Sequence, residues 1–494
     1  VEESGLVSKD VKVSSNSIKS LDFYGLMESP YLNIISTHGS GVTVFKPSET
    51  GLDSISGITS LFPTELFGIH DRKVLLSLNS DGKLVVYNPT FFKQPSSNVE
   101  PENFAAILDT VKTGASLNLI PSSITGSKVF VIDSIKITKP IFIRGSVPGI
   151  QLKPSGTPIK HFITIDSTSY GKIANVEIRG TSSGVFNASA IKTTNVASDF
   201  TVDSVVIKRF DKGISFYSSE LKLNHVYIDS VNTGVYASYV SGDRKYQRVQ
   251  LKDISFSNMF THAIESKNVS IEVEHSHFQG YASSHESLIL SEWSSENFSD
   301  SDNGRFSFQN SYVKGLNGRF LQIKKEATSP LKLEVDIKNS RVESAQLSTS
   351  DTSLIYVKGV DKLFAVNNLI KDVNRSLFYI NDIGTDSMWV LANIFENVAT
   401  ESGSYVFSYT ESADRLLHIF NNAIKQTAPA KFIETKQSGR AVYGNLAFSE
   451  PFASSTDTAN WGIHFNPESY TNVFDSVTFI FNENYTHAPG SFGV

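Results

Sequence analysis

Three successive stretches decide the fold: NNLIKDVNRSLFYI (367–380), LANIFENVATESGSYVFSY (391–409) and FNNAIKQTAPAKFIET (420–435). Each sets Asn or another small residue ahead of a short apolar run. A gap of four to ten residues follows, then a second short apolar run. A spacing that repeats without the letters repeating marks a solenoid, whose units bury their apolar faces only by stacking on one another.

Traced along the chain, the unit gives a column of apolar residues: Ile143, Ile178, Ile207, Ile228, Phe256, Phe278, Val313, Val342, Ile370, Phe395, Ile424 and Ala447. Three places ahead of most of them stands a turn former: Asn175, Ser204, His225, Asp253, Asn310, Asn339, Asn367 or Asn421. These side chains tolerate the left-handed backbone of a coil corner, and stacked amides can bond between coils. A second column runs in phase through AIKT (190–193), GISFY (213–217), GVYAS (234–238), AIES (263–266), SLIL (287–290), FLQI (320–323), SLIY (353–356), SLFYI (376–380), YVFSY (405–409) and KFIE (431–434). Short strands at this interval predict an all-β chain, a parallel β-helix of about twelve coils. At ~4.8 Å per rung the stack is about 55 Å long.

The flanks read differently. Residues 1–95 carry short strands and one hairpin signal, Asp81-Gly82 between two apolar runs, and are expected to form a small separate β domain. Pro101 opens a helix over 101–112 with Phe104, Ile107, Leu108 and Val111 on one face, suited to covering the open end of a β-helix spanning 96–452. Residues 453–494, with the alternating SVTFIFNENYTH, are expected to be a β-rich cap or oligomerisation segment.

The chain has 494 residues, 44 Lys and Arg against 50 Asp and Glu, and no Cys. That composition excludes thiolate metal sites and thiol nucleophiles. It offers no basic run to track nucleic acid and no apolar run long enough to enter a membrane as a helix.

The junction FAAILDTVKTGASLNLIPSSITGSKVFVIDSIKITKPIFIRG (104–145) resembles the opening of the pectate-lyase-like, right-handed parallel β-helix superfamily. With an N-terminal β module and a β-rich tail, the chain is similar to bacteriophage tailspike and tail-fibre proteins. That resemblance implies a homotrimeric, extracellular virion protein that contacts other tail or baseplate proteins. It also implies binding of bacterial surface polysaccharide, with depolymerisation left open. A non-catalytic virion fibre and a secreted polysaccharide lyase or hydrolase stand as alternatives.

No nucleophile elbow, zinc-protease helix, phosphate loop or calcium loop is present, and no cofactor or metal is expected. Hydrolysis of a glycan needs two carboxyls about 5 to 9.5 Å apart. Glu265, outward if Ile264 points inward, and Glu292, after the next strand, are the candidate pair. Glu296 and Asp300 lie with Glu292 in an acidic, polar insert, SEWSSENFSDSDNGR (291–305), and Asp382 and Asp386 form a second acidic cluster. Tyr217, Tyr236, Tyr239 and Trp293 are candidate sugar platforms along one groove. His275 and His277 alternate as if on one strand face, so they form either a metal pair or an ordinary surface or corner pair. For every one of these residues a plain solvated or core role remains open.

Overall fold

The computed structural model describes residues 97–425 apart from 112–114, 140, 157–159, 167–169, 182–185, 195–198, 218–219, 240–246, 281–286, 295–302, 349–350, 382–387, 402 and 412–415. Outside that span it gives the course of the strands and Gly444. The chain divides into two units, Val1–Ser97 with Gly114–Ser116, and Asn98–Thr113 with Leu117–Val494.

In the first unit, Ile18–Tyr24, Asn33–His38, Gly41–Ser48 and Gly51–Ile58 form an antiparallel sheet in chain order. Glu65–Ile69, Val74–Leu78 and Leu84–Tyr87 form another, and the last two make the hairpin expected around Asp81-Gly82, with Leu78 opposite Leu84.

The second unit is a right-handed parallel β-helix. Its coils supply three long sheets of 14, 12 and 15 strands. One middle coil shows the pattern: Tyr227–Asp229 in the first sheet, Thr233–Ser238 in the second and Arg248–Lys252 in the third. Successive coils pair in register, so like stacks on like. The inward column of the first sheet runs Leu152, Ile178, Ile207, Ile228, Phe256, Phe278, Val313, Val342, Ile370, Phe395 and Ile424, every member buried. Ring stacks such as Phe256 on Phe278 (centroids 4.8 Å apart) and Phe378 on Phe407 (5.3 Å) fill the interior.

This column corrects both ends of the sequence-based one. Ile143 pairs with Ile173 in the third sheet, and Leu152 is the true neighbour of Ile178. The shared I-R-G of PIFIRGS and NVEIRGT therefore joins strands of different sheets. At the other end Phe448, not Ala447, continues from Ile424. A one-residue slip moves a side chain to the opposite face of a strand. The third sheet itself was not foreseen: two columns were read where each coil has three strands.

All eight turn formers named at the corners have positive φ, between 50° and 56°. His275, for which a corner role stood open, and Ala392, unrecognised from sequence, complete the series with φ of 50° and 54°. The expected amide stacking is present in two layers. On the surface the Asn367 amide donates to Asn339 (2.9 Å). One residue further along the chain, a buried ladder connects Ser276, Ser311, Ser340, Asn368, Asn393 and Asn422, each after Ser276 accepting the backbone N–H of the residue before it in the ladder.

The helix spans Phe104–Thr110. Phe104 and Val111 are buried and Ile107 and Leu108 half-buried, and the Phe104 ring meets Phe130 edge-on at 5.8 Å. At the far end Val477–Ile480 pairs in parallel with Leu446–Ser449, so the first sheet runs past Phe452, where the repeat was expected to stop.

Candidate functional site

The outward face of the second sheet carries most of the candidate residues. Strands rise with alternate side chains on opposite faces, so register decides which ones meet. Inward, the sheet stacks Ile191, Ile214, Val235, Ile264, Ile289, Leu321, Ile355 and Phe378. The next position on each strand points outward and forms a straight column: Lys192, Ser215, Tyr236, Glu265, Leu290, Gln322, Tyr356, Tyr379 and Ser408. Two residues further on, a parallel column includes Lys267, Glu292, Lys324 and Lys358.

Glu265 does lie outward, as expected once Ile264 points inward. Its side chain is 18% exposed and 4.0 Å from the Lys267 ammonium. Glu292 also lies outward, but the two carboxylates are not level. Glu265 pairs with Leu290, while Glu292 pairs with Lys267 below and Lys324 above. They are diagonal neighbours on adjacent rungs, two residues out of step along the strand. Glu296, Asp300, Asp382 and Asp386 lie outside the described residues.

The structure brings Tyr217 and Tyr236 together. Their ring centroids are 6.0 Å apart and tilted by 58°. The Lys212 ammonium sits 4.0 Å from the Tyr236 centroid, and that of Lys192 is 5.6 Å from the Tyr217 centroid. Burial, then the neighbouring Tyr236 and the charge of Glu265, push the Tyr217 hydroxyl above its ordinary pKa. Tyr239 lies beyond the strand end, its backbone N–H donating to the Lys267 carbonyl (2.9 Å).

Trp293 is a correction. It points inward and is 3% exposed, with its indole N–H donating to the Ser291 hydroxyl and its ring lying against Gly304. A Cβ at Gly304 would come within 2.6 Å of that ring. Such a ring can stack on no ligand. The histidines are a second correction to the alternation reading. His275 occupies a left-handed corner beside Glu274, whereas His277 lies on the first sheet, stacked on Tyr312 at 5.2 Å. The two do not share a strand face.

Sequence reading missed three features of the second sheet. Tyr356 and Tyr379 stack almost parallel, 5.0 Å apart, with the Arg319 guanidinium 5.2 Å from the Tyr356 centroid. The lysines Lys192, Lys212, Lys267 and Lys324 line the same face. His161, level with Ser189 and Lys212, bonds Lys192 through Nε2 (3.2 Å). The signal for all three was their fixed offset from the inward column, visible only once the register is known.

No protein-family model and no curated protein matches this sequence. Among solved structures it is similar to PfbA, a surface adhesin of Streptococcus pneumoniae (10% identity, 63% of this chain and 88% of that one, TM-score 0.36). It is also similar to the catalytic domain of a GH87 alpha-1,3-glucanase in complex with nigerose (10%, 96% and 87%, 0.35). A third similar structure is an alginate lyase from a Paenibacillus species (12%, 78% and 99%, 0.29). Likenesses this distant carry no argument about what this chain does.

Proposed function

We propose that the outward face of the second sheet binds polysaccharide, and that the chain is an extracellular adsorption protein of the phage tailspike or tail-fibre kind. The observation that carries the reading is the straight column from Tyr236 through Glu265, Leu290 and Gln322 to Tyr356 and Tyr379. Rigid rungs at ~4.8 Å present hydroxyl, carboxylate, amide and aromatic groups along a line, the form an extended polymer matches. From Tyr236 to Tyr356 is four rungs, about 19 Å.

Binding by this face favours the hydroxyl-bearing edges of the rings. The mutual faces of Tyr356 and Tyr379 are covered by their stacking, while the far face of Tyr379 looks toward the small Ser408. Depolymerisation belongs to the reading as a separate arm. Its candidate acid and base are Glu265 and Glu292, diagonal neighbours on adjacent rungs. Assembly as a homotrimer and contact with virion tail proteins are part of the same proposal.

The test is incubation with a panel of bacterial capsules and lipopolysaccharides, reading bound glycan, new reducing ends and unsaturated-sugar absorbance. Binding lost in a Tyr236→Ala, Tyr356→Ala double variant supports the reading; no binding to any host glycan removes it. Hydrolysis that survives intact in both Glu265→Gln and Glu292→Gln removes the carboxylate pair. A stable monomer in sedimentation rules out the trimer.

A further inference from the structure

The early rungs of the second sheet concentrate positive charge. Lys192 and Lys212 stand on adjacent strands, each over a tyrosine ring, and His161 is level with Lys212 two strands before it. Among the described residues neither lysine is ion-paired. Two carboxylates close to these lysines along the chain or across the sheet, Asp211 beside Lys212 and Asp166 two residues past Lys192's partner Thr164, are already engaged. Asp166 pairs with Lys136 (3.0 Å) and accepts from Thr194, and Asp211 accepts from the Asn232 amide (2.7 Å).

His161 reports the field of this cluster. Its pKa is lowered to about 4, by burial first and then by the cations of Lys192, Lys160 and Lys212. A neutral imidazole that accepts from the Lys192 ammonium at Nε2 must carry its proton on Nδ1. That N–H is buried with no hydrogen-bond partner among the described residues. Tyr217 and Tyr236 add phenolic hydroxyls beside the ammonium groups. The cluster is therefore rich in donors, the carboxylates beside it are engaged elsewhere, and the next outward acidic residue along the column is Glu265, one rung past Tyr236.

We infer that Lys192 and Lys212, with Tyr217 and Tyr236, form a subsite for an anionic sugar substituent, a carboxylate, sulfate or phosphate, so that the polymer bound along this face is acidic. The inference rests on the polysaccharide reading and narrows it. Ammonium groups recognise such substituents as point charges through charge-assisted hydrogen bonds, and the tyrosine rings beneath them hold the stems in place. Glu265 then marks the boundary where the polymer must present hydroxyls instead of charge.

The experiment compares polygalacturonate with the same polymer after reduction of its carboxyls to alcohols, and dextran sulfate with dextran. Each is titrated against the full chain and a Lys192→Gln, Lys212→Gln double variant, at low and high salt. The charged polymers should bind about tenfold tighter than their neutral counterparts, with a preference that shrinks as salt screens it. The double variant should lose that preference at an unchanged circular dichroism spectrum and thermal midpoint. Equal affinity for charged and neutral forms overturns the acidic subsite while leaving polysaccharide binding in place. A preference kept in full by the double variant places the anion elsewhere and also overturns it. Failure of all four polymers overturns the subsite, and the host-glycan panel then decides the broader reading separately.

Discussion

Replacing Asn393 by Ala should be among the most damaging small changes in the chain. Asn393 is 1% exposed. Its amide donates to the Ala365 carbonyl (2.8 Å) and to Asn422 Oδ1 (2.9 Å), and its Oδ1 accepts both the backbone N–H and the side-chain amide of Asn368 (2.9 Å each). Four bonds at a net contribution of about 1 kcal/mol each come to ~4 kcal/mol, and the buried N–H of Asn368 is left without its acceptor. The internal control is Asn367→Ala, at an exposed corner with φ of 56°. That variant loses one solvent-facing amide bond and places Ala in a left-handed conformation, for about 1 to 2 kcal/mol. Urea unfolding gives the total, and amide exchange locates the weakened rungs. Protection should fall at Asn368 and spread to neighbouring coils, because a solenoid is stabilised by nearest-neighbour contacts. If Asn393→Ala costs no more than Asn367→Ala, the buried ladder is not what holds this corner.

Trp293→Ala should destabilise by ~3 to 5 kcal/mol as a cavity mutation, while affinity per folded molecule for any glycan stays at the parent value; a selective loss of binding would return Trp293 to the site. Asp361→Asn should cost about 3 to 5 kcal/mol, since Asp361 pairs with Lys325 at 2.6 Å where both side chains are under 10% exposed, and it also accepts the Leu333 N–H. Thermal melts of Asp361→Asn alone and with Lys325→Met should show the second change recovering stability. His161 contributes a pH dependence whose sign follows from its lowered pKa of about 4. The unfolded chain takes up the proton near pH 6.5 and the folded chain only near 4, so this stability is complete above ~6.5 and is lost as pH falls toward 4. Denaturation midpoints at pH 7.5 and 4.5 should differ less in His161→Gln than in the parent.

How far the fold could be read from sequence depends on what marks each boundary. Corners built on Asn, Asp or Ser announce themselves, since few other side chains accept positive φ. The corners at His275 and Ala392 do not: alternation with His277 set His275 on a strand face as readily as at a corner. The third sheet went unseen because its strands run straight into those corners. Glu220–Asn224 ends one residue before His225, with no Gly or Pro to separate it from Tyr227–Asp229. Two alternating runs across a one-residue bend look like one. The site was legible in part for a related reason. Glu265 and Tyr236 could be placed outward from the strand period alone, but Glu292 needed the register between coils. Lys192 and Lys212 stand on adjacent strands only because Ile191 pairs with Ile214, a register that the sequence alone does not reveal. Trp293 misled because it follows outward Glu292 in a polar stretch, and only the Gly304 opposite reveals the room made for its ring.

The corner ladder also makes this protein's length adjustable in whole steps. Ser340 N–H bonds Asn368 just as Asn368 N–H bonds Asn393, and the corner N–H groups of Asn339 and Asn367 each reach the last third-sheet carbonyl of the following coil. Excising residues 368–392 would join Asn367 to Asn393 and offer Ser340 an asparagine of the same kind. The molecule would become shorter by one rung with this ladder still matched, while the Leu347 N–H would lose the Asn374 side chain it now bonds. Reach can then change by gain or loss of coils in the C-terminal half, while the lysine- and tyrosine-bearing rungs from Lys192 to Glu265 keep their relative spacing.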